Sequence, residues 1–174
     1  MGSWEIALDT MMEGNERFVT GETYARGWSI ASRRKELLEQ GQKPIAVVVC
    51  EADAYMPPEL VFDSDFGELF TIRLPELSID KNVLDAITYA AEKLHTPLCV
   101  VLAHDERRGD PLEGGEGLAA WFKGAQREPD ELLQGSLSKI RKSPELSELI
   151  DRGEFIAVGA RYDLATGEVT VYDF

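Results

Sequence analysis

The sequence has little of what a secreted, membrane-bound or nucleic-acid-binding protein needs. Only two cysteines are present, Cys50 and Cys99, and both lie in apolar runs, which is typical of reduced, buried thiols. No apolar run approaches the roughly 18 residues of a membrane span, and residues 1–18 carry acids where a secretory signal has basic residues. Basic residues number 18 against 32 acidic ones, so clustered cations for nucleic acid or anionic lipid are lacking. We therefore expect a cytoplasmic protein with no nucleic-acid or membrane partner.

The composition is that of a globular domain. Of the 174 residues, 44% are hydrophobic and 29% are charged, which is ordinary for a folded chain and unlike a disordered one. A chain of this length is enough for one core. We expect a single domain over 1–174, with a helical arm over 1–42 and an α/β core over 43–174.

Helical periodicity recurs in several segments. The predicted helices cover 4–19, 29–40, 81–94, 116–125 and 130–151, the last with a break near Ser143–Pro144. The first is predicted from the apolar residues Ile6, Leu8, Met11, Met12 and Phe18. In the helix over 81–94 the apolar set includes Tyr89. Gly21 and Gly41 are placed to end the first two helices.

Short apolar runs predict the strands. Residues 44–50 and 97–104 lack polar alternation, which indicates strands covered on both faces, and 69–73 is a third strand. The last twenty residues predict a hairpin around Ala165–Thr166–Gly167. Strands separated by helices predict an α/β fold with a mostly parallel central sheet flanked by helices. Functional sites in such sheets lie beyond the carboxyl ends of the strands. The two strand ends that matter here are those at Cys50 and His104.

Six phrases of the sequence are similar to those of one enzyme family. They are EGNERF (13–18), PPELVFD (57–63), GELFTIR (67–73), PLCVVLAH (97–104), SPELSELIDRGEF (143–155) and YDLATGEV (162–169). In this order and at this spacing the sequence resembles the β-class carbonic anhydrases. The resemblance implies that family's fold, with an N-terminal helical arm and a C-terminal hairpin strand. It also implies a homodimer or a higher even oligomer, in which residues 4–19 pack against the neighbouring subunit.

The family binds a catalytic zinc through two cysteines and a histidine. The first cysteine opens a Cys-x-Asp-x-Arg motif, and counting back from Pro57 places that cysteine at Glu51. The motif's aspartate falls on Asp53 and its arginine on Tyr55. Cys50 stands one position too early, and a one-residue shift turns a strand side chain to the opposite face. We therefore expect Cys50 to be a buried core thiol. Asp53 keeps the family's catalytic position, but the Tyr55 phenol brings no charge to hold it ionised.

The second zinc motif of the family is His-x-x-Cys-Gly. His104 is in place, whereas the cysteine falls on Arg107 and the glycine on Arg108. A guanidinium has no lone pair to offer a metal. We therefore expect no zinc cofactor and a homologue that has lost carbon dioxide hydration, acting as a binding or structural protein. A Glu51–Arg107 ion pair would replace the zinc, and Arg107, Arg108 and His104 would line a pocket for a small anion such as bicarbonate.

Two other interpretations of these residues are open. Glu51, Asp53 and His104, with Glu106 as a further candidate, offer oxygen and nitrogen donors for an altered metal site, zinc included. The chain would then be an active lyase that interconverts carbon dioxide and bicarbonate. Alternatively, Glu51 and Asp53, two residues apart, could form a carboxylate pair for acid–base chemistry. The other histidine, His95, lies at a helix–strand turn and is expected to be solvated.

Overall fold

The computed structural model of the chain describes residues 2–23, 30–52, 56–104 and 129–172. Within these ranges the helices are α1 (Ser3–Thr20), α2 (Ile30–Gln40), α3 (Pro58–Val61), α4 (Lys81–Lys93), α5 (Pro129–Arg141) and α6 (Pro144–Asp151). The strands are β1 (Ala46–Glu51), β2 (Leu69–Leu74), β3 (Leu98–His104), β4 (Ile156–Tyr162) and β5 (Val169–Tyr172). No helix in the described ranges combines the length and hydrophobicity that a membrane span requires.

The strands form one sheet in the order β2-β1-β3-β4-β5. β1 is parallel to β2 and to β3, and β3 is parallel to β4. Only the last pair, β4 and β5, is antiparallel among these described strands. Every residue of β1 and β3 is buried, as expected for central strands covered on both faces. The predicted α/β fold with a mostly parallel sheet and a C-terminal hairpin is confirmed.

Helices cover both faces of the sheet because successive side chains of a strand point to opposite sides. Val47 and Val49 pack with apolar residues of α4, α5 and α6 on one face. Val48 and Cys50 pack with apolar residues of α1 and α3 on the other face. With both faces covered, polar side chains of the central strands can group only at the strand ends.

Helix α1 packs on the sheet through most of the apolar residues that predict it. Met11 is buried and Leu8, Met12 and Phe18 pack against the same core, whereas Ile6 is 55% exposed. The buried residues are Ala7, Met11, Gly14 and Asn15. A Cβ atom on Gly14 would lie 2.0 Å from the carbonyl oxygen of Phe62, so a glycine is needed for the helix to approach that backbone. Small and polar residues therefore contribute to this contact beside the apolar ones.

Helix α4 confirms the helix predicted over 81–94, with one difference on its surface. It begins after Asp80, whose carboxylate accepts a 2.9 Å hydrogen bond from the backbone N–H of Val83. Its buried residues are Val83, Ile87, Ala90 and Ala91. Tyr89 falls outside that stripe and is 49% exposed, so its assignment to the apolar face was wrong.

The predicted helix ends in the described ranges are confirmed. Gly21 and Gly41 follow α1 and α2 with φ angles of 74° and 75°, the left-handed conformation that glycine adopts at low cost. The break near residue 143 is also present, because α5 ends at Arg141 and α6 begins at Pro144. The helix predicted over 116–125 lies outside the described residues.

The C-terminal hairpin turns at the predicted position. Asp163 accepts hydrogen bonds from the backbone N–H groups of Ala165 and Thr166, at 2.7 and 3.2 Å. Gly167, with φ of 80°, then leads the chain towards β5. This turn lies against α1, since a Cβ atom on Gly167 would be 3.1 Å from the ring of Phe18.

Candidate functional site

Two buried polar side chains meet at the carboxyl edge of the sheet. Glu51 is the last residue of β1 and His104 is the last residue of β3. The Nε2 atom of His104 lies 2.9 Å from the Oε2 atom of Glu51. The side chain of His104 is 4% exposed and that of Glu51 is 8% exposed. A carboxylate and an imidazole are therefore held together where the fold places functional residues.

Both residues stand at the ends of neighbouring parallel strands. Cys50 of β1 lies beside Leu102 of β3, so Glu51 is level with Ala103 and one residue short of His104. Parallel strands of one sheet end at the same edge, which brings the two strand ends close, and the side chains span the one-residue offset. Glu51 and His104 are both polar, and each one ends an otherwise apolar run.

Cys50 and Cys99 both lie inside the apolar core. Cys50 is fully buried in the cluster that includes residues of α1, on the face of the sheet opposite to Val49. Cys99 belongs to the cluster on the other face, and burial raises the pKa of its thiol to about 12. A thiol in that environment stays protonated at neutral pH and is a poor nucleophile or metal ligand.

The Nε2 atom of His104 and the Oε2 atom of Glu51 lie within hydrogen-bond distance. An ionised carboxylate can only accept, so an Nε2–H group of the imidazole would be the donor. A buried carboxylate is costly unless hydrogen bonds or an opposite charge compensate it, and His104 supplies that donor. Both residues make further interactions beyond this one. The pair therefore satisfies polar groups that the strand ends would otherwise bury at a cost.

The donor set of this edge does not match a zinc site of the kind the resemblance implies. Zinc in proteins takes about four ligands, with at least three from side chains at a catalytic site. Among the described residues, no three His, Cys, Asp or Glu side chains are grouped so that they could hold a metal. Glu51 and His104 supply two donors, and His104 spends its Nε2 on Glu51. The third position of the family motif is an arginine, Arg107, which has no lone pair to offer.

Several residues predicted for the site lie outside the described ranges. They are Asp53, Tyr55, Glu106, Arg107 and Arg108. The predicted Glu51–Arg107 ion pair and the anion pocket therefore stay predictions. His95 is exposed at the turn between α4 and β3, with φ of 56°, so the expectation that it is solvated is confirmed.

Sequence reasoning missed a buried polar network around Asn15. The Asn15 side chain donates to the carbonyl oxygens of Val61 and Gly167, at 3.1 and 2.9 Å. Its Oδ1 accepts a 2.8 Å hydrogen bond from the N–H of Val169. The side chain of Asn15 therefore ties α1 to both α3 and the hairpin. The signal was present in the phrase EGNERF, where a polar residue stands beside a glycine on the helix.

Comparisons with known proteins agree on one family. Residues 45–108 match the family model described as carbonic anhydrase, a range that contains Glu51, His104 and Arg107. Carbonic anhydrase 2 of Mycobacterium tuberculosis is 41% identical over 99 residues, which are 57% of this chain and 47% of that protein. A carbonic anhydrase of Mycolicibacterium smegmatis is 38% identical over 99 residues, with the same coverage. The chain thus spans about half the length of the curated relatives that it matches.

Solved structures match over more of the chain. The β-carbonic anhydrase CcaA is 22% identical, with a TM-score of 0.61 over 91% of this chain and 94% of that one. One of two tetrameric β-carbonic anhydrases of Sordaria macrospora is 16% identical, with a TM-score of 0.62 over 83% and 89%. At these identities the likeness shows the fold. Together with the family-model match and the curated relatives, it shows that this chain has the fold of the β-carbonic anhydrases and is similar in sequence to carbonic anhydrases over part of its length.

Proposed function

We propose that this chain is a β-carbonic anhydrase homologue that has lost the catalytic zinc and carbon dioxide hydration. It would act as a non-catalytic binding or structural protein. The observation that carries the proposal is the contact at the sheet edge. Glu51 stands where the family has its first cysteine, and its carboxylate binds the imidazole of His104, 2.9 Å away.

The chemistry of hydration explains why these substitutions matter. Zinc, when bound, lowers the pKa of its water from about 15.7 towards 7 and so supplies hydroxide at neutral pH. In this chain a carboxylate and a guanidinium, Glu51 and Arg107, replace the two thiolates of the family. A cation placed beside a dication is repelled by about 8 kcal/mol at 4 Å and an effective dielectric of 20. The residue types at these positions therefore oppose the binding of zinc.

The second catalytic position of the family is also altered. Asp53 is kept, but the arginine that would orient it is replaced by Tyr55. A phenol can donate a hydrogen bond to Asp53, but it carries no positive charge to favour the ionised form. Loss of activity thus has support at two separate motifs.

One observation favours a second candidate function. Glu51 and His104 are oxygen and nitrogen donors that already lie within 2.9 Å of each other. With Asp53 as a third ligand, they would form an altered metal site, and the chain would be an active lyase of the same family. In this second function, His104 would give up its hydrogen bond with Glu51 and bind the metal through the same nitrogen.

The assembly and location of the protein belong to the same proposal. We propose one domain over 1–174, divided into a helical arm over 1–42 and a core over 43–174, in a cytoplasmic homodimer or higher even oligomer. The tetrameric Sordaria enzymes, which share the fold, support an even oligomer. Exposed apolar side chains on α1 and α2, Ile6, Val19 and Leu38, suit a contact between subunits. Arg107, Arg108 and His104 would bind a small anion such as bicarbonate.

Metal content and hydration rate test the proposal together. The protein is purified without chelator and analysed for zinc, manganese and iron, and its hydration of carbon dioxide is followed by stopped flow. We expect substoichiometric metal and a rate equal to that of the buffer. About one tightly held metal per chain with catalysed hydration would refute the proposal and support the altered lyase site.

A further inference from the structure

We propose that Glu51 replaces the family's metal as the group that ties β3 to β1 at the sheet edge. The inference rests on the proposed loss of zinc and gives His104 a new role. In place of a metal ligand, His104 is the hydrogen-bond partner of a carboxylate on the neighbouring strand. The sheet edge is thereby held together without a cofactor.

The position of the pair supports this role. Glu51 and His104 are the terminal residues of two adjacent parallel strands, and the paired register of those strands ends before them, at Cys50 and Leu102. A side-chain bond at this point extends the link between the strands beyond their last paired residues. Both side chains are more than nine-tenths buried, so water competes little for the bond.

The chemistry of the pair also supports it. A metal bridges ligands by accepting electron pairs from each of them, whereas here the imidazole N–H donates a hydrogen bond to the carboxylate. The Nε2 lone pair of His104 is used to hold that proton, so this nitrogen cannot bind a metal while the bond persists. A carboxylate at position 51 thus links the strands and occupies the histidine at once.

A double-mutant cycle tests the coupling between the two residues. The variants are Glu51→Met, His104→Phe and the double variant, and the measured quantity is the urea midpoint. Each single variant buries one polar group without its partner, so each should lower the midpoint. The double variant removes both groups, so its urea midpoint should fall by clearly less than the sum of the decreases in the two single variants. Additive losses would overturn the inference.

The cycle needs a matched control because both residues have other interactions. Glu39→Met changes an exposed carboxylate that lies 3.8 Å from Lys35. It should leave the midpoint unchanged and show no coupling with His104→Phe. Treatment of the wild-type protein with a strong chelator should also leave its midpoint unchanged. A fall on chelation would show that a metal holds this edge and would overturn the inference.

A measurement on the unaltered pair covers the case in which the variants fail to fold. The chain has two histidines, so His95→Gln, at an exposed position, leaves His104 as the only imidazole. Two-bond ¹H–¹⁵N spectra should show a proton on Nε2 that exchanges slowly with solvent. An unprotonated Nε2 would overturn the cross-link. Catalysed hydration would refute the proposed function, whereas an additive cycle in an inactive, metal-free protein would refute only the cross-link.

Discussion

Arg17 and Asp63 form an ion pair that fixes α1 to the turn after α3. The Nε atom of Arg17 donates a 2.7 Å hydrogen bond to Oδ2 of Asp63, whose side chain is 1% exposed. Asp63 also has a positive φ of 44°, which is uncommon for a residue other than glycine. The contact therefore holds a conformation that the turn does not favour by itself.

Removing the cation of this pair should strongly destabilise the protein. Arg17→Ala leaves a buried carboxylate without its arginine, and the cost should be about 3 kcal/mol in the free energy of unfolding. Urea denaturation measures it. Lys81→Ala is the matched control, because Lys81 and Asp85 are 2.6 Å apart but largely exposed, at 83% and 61%. It should cost much less, because water screens an exposed ion pair. Equal losses would contradict the importance of burial here.

The close approach of α1 to residue 62 predicts opposite effects for two glycine substitutions. Gly14→Ala would place a methyl group 2.0 Å from a backbone oxygen and should cost about 3 kcal/mol. Gly135→Ala, inside α5 with nothing within 4 Å of the added carbon, should stabilise the protein by about 0.5–1 kcal/mol. Thermal unfolding of both variants measures the contrast. A neutral Gly14→Ala would show that α1 does not pack as described.

How much the sequence could predict depends on the range of the interactions involved. The sheet, the break before Pro144 and the turn at Gly167 follow from local signals, and they were predicted. The ends of β1 and β3 were located within one residue, so Glu51 and His104 were expected at the sheet edge where they lie. The resemblance then identified positions 51 and 104 as the ones whose chemistry matters.

The missed features depend on contacts between distant segments. Asn15 binds Val61 and Gly167, which are 46 and 152 residues away, so no window of sequence contains the network. The contact between Glu51 and His104 was also not predicted, because it depends on how the ends of β1 and β3 lie side by side. The predicted pairing of Glu51 with Arg107 stays a prediction, since Arg107 lies outside the described residues.

A buried hydroxyl just before β3 offers a stabilising substitution. The Oγ1 atom of Thr96 is buried and has no hydrogen-bond partner among the described residues. Thr96→Val removes this polar group with little change of shape and should stabilise the protein by about 1 kcal/mol. Thr71→Val is the control, because the Thr71 hydroxyl donates a 2.7 Å bond to Glu59 and its loss should destabilise. Chemical denaturation that ranks the two variants in the reverse order would contradict this assignment.

The buried Cys99 thiol predicts a loss of stability in alkaline solution. Burial raises its pKa from 9.0 to about 12, so the folded protein keeps the proton while the unfolded chain releases it. The contribution of the protonated thiol to the free energy of unfolding is complete below pH 9. It decreases as the pH rises from there towards 12. Urea midpoints of the wild type and Cys99→Ala should therefore converge over that range. Parallel curves would show that the thiol ionises equally in both states.

Returning the two cysteines should restore zinc binding if their loss abolished it. Glu51→Cys with Arg107→Cys supplies two thiolates, removes the guanidinium and frees His104 from its carboxylate partner. This double variant should retain about one zinc per chain after dialysis, measured by elemental analysis.

Cys50 provides the control for this experiment, because it is buried on the α1 face of the sheet. Adding Cys50→Ala to the double variant should leave the zinc content unchanged. Arg107→Ala alone should bind no zinc, because Glu51 still holds His104 at 2.9 Å. Zinc in the wild type that disappears with Cys50→Ala would instead mean that β1 shifts by one residue to present that sulfur, and the assignment of position 51 would fall.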